Sequence, residues 1–191
     1  MSNEIAKASD AVNSGLVAGT KNTEVAKATG RFRMECYDKD GLLKWSAESQ
    51  NLVVNVGLQY MAGTALTSTT QITSWFIGLY GAGASNTPAA GDTMSSHAGW
   101  TEVTPYSGTR PAATFAAATN ANPSVVTNSA SPASFAINAT QTVGGAFLVS
   151  NSTAGGSTGT LFSAADFQSP GDRNVVSGDT LNVTYTFSLA G

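Results

Sequence analysis

Apolar and polar residues alternate along much of this chain, beginning near Gly30. Phe32, Met34 and Cys36 are separated by charged residues, and this period of two is typical of a β-strand with one buried face. The same period is clearest over residues 180–189, where every second residue is Leu, Val, Tyr or Phe. Both segments therefore predict strands that turn one face towards a core.

A turn follows the first of these strands. Residues 38–41, Asp-Lys-Asp-Gly, have the composition of a hairpin turn, and the glycine can take the positive φ that such turns favour. Leu43 and Trp45 then alternate with polar residues. The pattern predicts a β-hairpin in which Leu43 and Trp45 alternate with Lys44 and Ser46 on the return strand.

One segment has a helical pattern, although Gly57 within it costs about 1 kcal/mol of helix propensity. Asparagines lie near its start and Gly63 near its end, as expected for the ends of a helix. We predict a helix over residues 51–66 with an apolar stripe of Val53, Val56, Leu58, Tyr60 and Met61.

The remaining body consists of short strand-like segments separated by turns rich in Gly, Asn, Pro and Ser. They are residues 72–79, 100–105, 112–118, 124–127, 134–138, 143–150, 159–163 and 180–189. Many short strands without helices between them are typical of antiparallel sandwiches, whereas a parallel sheet needs crossover helices. We therefore predict an all-β domain over residues 30–191, an antiparallel β-sandwich or jelly-roll-like fold with one short helix.

The predicted core combines the inward positions of these segments. Truncating one of its aromatic residues should cost about 3–5 kcal/mol of stability. Its members are Phe32, Met34, Trp45, Val53, Leu58, Trp75, Ile77, Phe115, Phe135, Ile137, Phe147, Val183, Tyr185 and Phe187.

The first residues have a different composition from the body. Residues 1–29 hold no aromatic side chain, and Glu-Ile-Ala-Lys-Ala-Ser at 4–9 returns as Glu-Val-Ala-Lys-Ala-Thr at 24–29. One interpretation is a frayed terminus. The other is an extended N-terminal arm over 1–29 that orders on a partner and grips a repeated surface twice. Its predicted partner-binding residues are Ile5, Lys7, Val12, Leu16, Val25 and Lys27.

Charge and composition exclude several classes of protein. The net charge is −3, and past Gln50 the only cations are Arg110 and Arg173, so no basic face for nucleic acid is predicted. No apolar stretch approaches the roughly 20 residues that a membrane helix needs. Cys36 is the only cysteine and no secretory signal precedes the body, which favours folding in a reducing compartment.

Residues that could perform chemistry are few and scattered. His97 is the only histidine, and we expect it to bond locally or to pack on Trp100. Cys36 is expected to be a buried, inert thiol. Trp75, Tyr80, Trp100 and Tyr106 fit core packing better than an exposed platform for sugars, although the sequence leaves both open.

The acidic residues fit structural roles. Asp92 and Asp179 each lie in a Gly-Asp-Thr tripeptide, which is typical of a turn or cap. Glu102 and Arg110 are expected to form an ion pair, and Asp172-Arg173 to lie in a surface loop. We predict no catalytic residue, metal site or cofactor, so the chain is expected not to be an enzyme. An enzyme acting on envelope sugars would need two convergent carboxyl groups.

Several motifs carry a resemblance to known proteins. They are residues 91–107, which begin Gly-Asp-Thr-Met-Ser-Ser-His-Ala-Gly-Trp, with 109–111, 51–55, 144–147, 156–161 and 178–181. Together they resemble a group of small virion structural proteins of tailed bacteriophages, over roughly residues 30–191. The resemblance implies a non-enzymatic part of a phage particle that folds in the bacterial cytoplasm.

Two roles follow from that resemblance. The first is a capsid decoration or cement protein, a homo-oligomer with a trimer favoured, bound to the major capsid protein on the outer surface of the virion. The alternative is a tail-fibre or receptor-binding component that recognises host surface glycans.

Overall fold

The computed structural model describes residues 26–81, 87–167 and 171–191 of this chain. It contains one helix, α1 (Asn55–Leu66), among these residues. The strands are β1 (Lys27–Tyr37), β2 (Leu43–Gln50), β3 (Leu52–Val53), β4 (Phe76–Gly81), β5 (Glu102–Val103), β6 (Ser124–Thr127), β7 (Ala133–Ala136), β8 (Gln141–Val149), β9 (Leu161–Asp166), β10 (Arg173–Val175) and β11 (Thr180–Ala190). The prediction of an all-β fold with one short helix is confirmed.

The strands form two antiparallel sheets. Sheet A has the order β2-β1-β11, and β6 and β7 pair with successive parts of β11. Sheet B has the order β3-β9-β8-β4-β5, and β10 also pairs with β8. Every strand pair is antiparallel, so short turns suffice where consecutive strands are neighbours.

The main core lies between the two sheets. Phe32 and Met34 of β1 are fully buried there against residues of sheet B such as Ile77 and Leu148. Nine of the predicted core residues are buried: Phe32, Met34, Val53, Ile77, Phe135, Ile137, Val183 and Tyr185 in this cluster, and Phe147 on the other face of sheet B. Four others are half-buried and pack against the same cluster: Trp45, Trp75, Phe115 and Phe187.

A second apolar cluster covers the other face of sheet B. Tyr80 and Phe147 point away from sheet A and pack with Met94 and Trp100. The last two residues belong to residues 87–101, which we call the covering segment. Sheet B is therefore buried on both faces.

The helix differs from its prediction at the start and in its buried face. It begins at Asn55 because Leu52 and Val53 pair with β9 as a strand. Leu58 is 44% exposed, so its placement in the core was wrong. The helix instead contacts β9 through Gly57, where an added Cβ would lie 2.3 Å from the Phe162 carbonyl oxygen.

The predicted strand over residues 112–118 is also wrong. Ala112 forms only an isolated bridge with Phe76. The Ala113 amide donates to the Trp75 carbonyl of the sheet B side, and the Ala116 amide donates to the Thr127 carbonyl of sheet A. The segment crosses from one sheet to the other, so it pairs with neither over a continuous stretch.

The predicted hairpin forms, but Leu43 does not point inwards. Tyr37 pairs with Leu43 and Cys36 pairs with Trp45, which leaves Lys44 as an extra residue in a β-bulge. A bulge shifts the alternation of side chains by one position. Leu43 is consequently 55% exposed, while Trp45 keeps its inward orientation.

Two further details differ from expectation. Residues 27–29 pair with β11 as part of β1, so they belong to sheet A. The dipeptide Asp172-Arg173 is not wholly a surface loop. Arg173 begins β10, and its guanidinium carbon lies 6.0 Å from the centre of the Trp45 ring.

Candidate functional site

The strongest polar interaction in the described chain is a buried ion pair. Arg110 Nε and Nη2 donate to the two carboxylate oxygens of Glu102 at 2.8 and 2.7 Å. The side chains are 0% and 7% exposed. Planar, two-bond pairing of this kind is the favoured geometry for Arg and carboxylate. The predicted ion pair is confirmed.

The remaining donors of Arg110 hold a surface loop. Nη1 donates to the Asn151 carbonyl at 2.8 Å and Nη2 to the Gly156 carbonyl at 2.9 Å. The Gly155 amide donates to Glu102 Oε2 at 2.8 Å. Both charged groups are thus engaged in holding the loop.

The two Gly-Asp-Thr tripeptides build the same turn twice. In each, the aspartate amide donates to the carbonyl three residues earlier, Ala89 or Val176, at 3.0 Å. The amide of that earlier residue donates back to the carboxylate, at 3.0 Å for Asp92 and 2.9 Å for Asp179. The predicted turn device is confirmed, and both carboxylates are buried.

Asp179 also lies at the centre of a cluster that the sequence pattern did not show. Lys44 Nζ donates to Asp179 Oδ2 at 2.6 Å, and the Cys36 thiol lies 3.5 Å from the same oxygen. Lys44 is the extra residue of the bulge in β2, and from that position its ammonium group reaches this carboxylate. Burial, together with the charge of Asp179 and its hydrogen bond to the thiol, raises the pKa of Cys36 to about 12. The thiol is therefore protonated and inert, as predicted.

His97 has the local role expected for it. Its ring stacks on Trp100 with centroids 3.8 Å apart, and its Nδ1 lies 2.9 Å from the Trp100 carbonyl oxygen. The Trp100 indole in turn donates to Asp92 Oδ2 at 2.9 Å. These contacts hold the covering segment together internally, and the Trp100 ring packs on Tyr80 and Phe147 of sheet B.

The aromatic residues form no exposed platform. Tyr80, Trp100 and Tyr106 are buried, and Trp75 is half-buried between Tyr60 and Phe162. Core packing, the favoured alternative, is confirmed for these residues. Burial of the Tyr80, Trp100 and Tyr106 rings leaves no exposed face on which a sugar could stack.

Two other carboxylates lie near one phenol. Burial raises the pKa of Tyr80, and the charges of Asp166 and Asp172 raise it further. Tyr80 is fully buried, and Asp172 is exposed outside the sheet. The Tyr80 side chain is therefore packed in the second apolar cluster, away from solvent in the described part of the chain.

Exposed apolar residues concentrate on the hairpin and the helix. Leu42 and Leu43 are 67% and 55% exposed at the tip of the β1–β2 hairpin, and Leu58 and Leu66 are 44% and 86% exposed on α1. The outer face of sheet A is polar, with shallow depressions between Arg31, Arg33 and neighbouring threonines. The exposed leucines and the polar outer face of sheet A are therefore the candidate surfaces for binding a partner.

Most of the predicted partner-binding residues lie outside the part of the chain that the structure describes. Lys27 is exposed and pairs with Ala190 at the start of β1, so it belongs to the sheet. The other five, Ile5, Lys7, Val12, Leu16 and Val25, lie outside the described residues. No helix among the described residues is long and apolar enough to cross a membrane. Over the same ranges, no three His, Cys, Asp or Glu side chains lie together as metal ligands would.

Comparisons with protein-family models, with curated proteins and with solved structures find no match to this chain.

Proposed function

We propose that this chain is a structural protein of a bacteriophage particle, a decoration or cement protein on the capsid surface. It binds the outer surface of the major capsid protein lattice as a homo-oligomer, with a trimer favoured, and catalyses no reaction. The observation that supports this proposal is that the charged side chains that could perform chemistry have structural roles instead. Arg110, Glu102, Asp92 and Asp179 are buried in bonds that hold loops and turns.

The accessible surface supports a role in contact. Leu42 and Leu43 lie at the end of the β1–β2 hairpin, whose short turn is closed by backbone hydrogen bonds. A partner that covers these leucines gains binding free energy, because burial of one leucine side chain contributes about 1.5–3 kcal/mol. Binding to an assembled shell but not to separated subunits stabilises the shell by mass action.

A binding experiment tests the proposal. Heads prepared without this protein are incubated with the purified full chain, and bound protein is measured by sedimentation together with the temperature at which heads release their contents. The proposal predicts saturable binding and a higher release temperature. Heads that bind no protein would contradict it.

A second candidate is a tail-fibre or receptor-binding component that recognises host glycans. The polar depressions on the outer face of sheet A favour it, since Arg31, Arg33 and Glu48 offer hydrogen-bonding groups for hydroxyls. Measurable binding of the purified chain to host polysaccharide, and none to heads, would favour this role over the first.

A further inference from the structure

One long strand edge in the described chain is open. It belongs to β2, the outermost strand of sheet A, which pairs with β1 on one side. No described strand pairs with the outer side of β2. The outer strands of sheet B, β3 and β5, are much shorter, with two residues each.

The opposite edge of sheet A differs because β6 is covered. The Ala116 and Thr119 amides donate to the Thr127 and Val125 carbonyls of β6, both at 3.0 Å. The strand β7 lies on the same side of β11 and has four residues. Among the described strands, β2 is therefore the long edge that lacks a covering segment.

The pairing of β2 with β1 shows which of its main-chain groups point outwards. The Asn51 amide donates to the Gly30 carbonyl at 2.9 Å, so Asn51 faces β1. Residues that face the neighbouring strand alternate in an antiparallel pair, so the amides and carbonyls of Ser46, Glu48 and Gln50 point away from β1. Such a row of groups is a template for another strand.

The side chains of this edge leave it accessible to another strand. Proline and bulges protect sheet edges, but residues 45–50 contain no proline, and the bulge at Lys44 lies before them. Glu48 is the charged residue of this stretch, and it pairs with Arg31 at 3.2 Å. Its charge is thus already compensated within the copy.

One buried atom of β2 lacks a hydrogen-bond partner. Ser49 is 5% exposed, and its Oγ has no partner among the described residues. An unpaired buried hydroxyl is unfavourable. A strand added beside β2 would place a side chain opposite Ser49 on the inner face of the sheet.

We propose that β2 pairs with β2 of a second copy, as antiparallel strands about a two-fold axis at Ser49. A two-fold contact needs a self-complementary surface, and an antiparallel strand edge is self-complementary. The two Ser49 side chains then lie opposite each other, and their hydroxyls form a hydrogen bond. The contact joins copies two at a time, within a larger oligomer or alone, so the inference does not depend on the proposed virion role.

The neighbouring positions for the axis fit less well. An axis at Glu48 places two carboxylates opposite each other, which is destabilising. An axis at Ala47 places Ser49 opposite Trp45, whose indole nitrogen already donates to a carbonyl of β10. The axis at Ser49 instead places Glu48 opposite Gln50 of the second copy.

Sedimentation of the full chain tests the pairing. The native chain is expected to self-associate as its concentration rises through the micromolar range. Glu48→Pro removes an outward amide but no hydrogen bond to β1, so it should weaken association at least about tenfold. The matched control, Glu48→Ala, keeps that amide and should associate as the native chain does.

Two results would overturn the proposal. One is a native chain that stays monomeric, whether its β2 edge is open or covered by another segment. The other is a Glu48→Pro variant that unfolds in urea as the control does and also associates as strongly as the control.

Disulfide trapping tests the position of the axis without a proline. Ser49→Cys should form a linked dimer under mild oxidation, because its two Cα atoms lie about 4.5 Å apart across the axis. The matched control is Ser46→Cys, whose two copies would lie about 20 Å apart. Cys36 stays in place because it is fully buried. Trapping of Ser49→Cys no faster than that of Ser46→Cys would overturn the proposed axis.

Discussion

The two sheets of this molecule are buried to different extents. Sheet A has one face in the core and one in solvent, so buried and exposed residues alternate from Gly30 to Met34 in β1. Sheet B lies between sheet A and the covering segment, and every residue of β8 from Val143 to Val149 is buried. The two sheets differ in burial because different segments pack against them. The strands themselves have similar geometry.

On its face beneath the covering segment, sheet B has pairs of glycine and aromatic residues that the outer face of sheet A lacks. Across β4 and β8, Gly78 faces Phe147 and Tyr80 faces Gly145. Each ring lies over the glycine of the opposite strand, where an added Cβ would come within 2.1 Å of ring carbon. Such pairs save space beneath the covering segment, and the outer face of sheet A needs none because no segment covers it among the described residues.

The largest expected effect concerns the buried charge pair beside sheet B. Arg110→Ala leaves Glu102 buried without its partner and releases the loop carbonyls of Asn151 and Gly156. We expect the free energy of unfolding, measured by urea denaturation, to fall by about 3–5 kcal/mol. A loss below about 1 kcal/mol would show that the pair is not buried in solution.

The next effect tests the double covering directly. Gly145→Ala places a methyl group 2.1 Å from Tyr80 Cζ and 2.2 Å from the Ala165 carbonyl oxygen. Overpacking of this kind should cost about 3 kcal/mol. The matched control is Gly91→Ala, where the added methyl meets no atom within 4 Å. Equal stability of the two variants in urea denaturation would contradict the packing of this face.

A smaller effect depends on pH and lies at the end of sheet A. Burial alone would raise the pKa of Asp179, but hydrogen bonds from Lys44, the Val176 amide and Cys36 lower it below its ordinary value. A carboxyl whose pKa is lower in the folded state contributes stability above its unfolded pKa of about 4, and this contribution is lost as the pH falls through the folded pKa.

Asp179→Asn should therefore be less stable than the native chain at neutral pH, and the difference should shrink below about pH 4. Urea denaturation across an acid pH series measures both stabilities. A difference that stays constant down to about pH 2 would mean that ionised Asp179 is not the source of the effect.

The smallest effect is expected on the open face of sheet A. Arg31 and Glu48 form an ion pair at 3.2 Å with side chains 52% and 45% exposed. Arg31→Ala should change the free energy of unfolding by no more than about 0.5 kcal/mol, because solvent screens exposed pairs. A loss comparable with that of Arg110→Ala would remove the contrast between the two sheets.

The sequence predicts sheet A better than sheet B for the same physical reason. Alternation over residues 32–36 and 180–189 predicts strands with one face in solvent. Both strands are confirmed. The short strands β3 and β10 were not predicted, since two or three residues carry no readable period. Their pairing depends on partners far along the chain.

The sequence pattern predicts the wrong side-chain direction where a backbone feature changes the alternation. The bulge at Lys44 turns Leu43 outwards, and the close approach of Gly57 to β9 turns Leu58 outwards. Neither contact has a local sequence signature. By contrast, the Arg110–Glu102 pair and the Asp92 turn join residues close in sequence, so reasoning from the sequence found them.

The proposed virion role is tested most directly by counting copies of this chain per purified phage particle. Quantitative mass spectrometry against the major capsid protein gives this number. A decoration protein spread over the capsid lattice should be present in hundreds of copies. A count in the tens would contradict that role and favour the tail component, and no copies in the particle would contradict both.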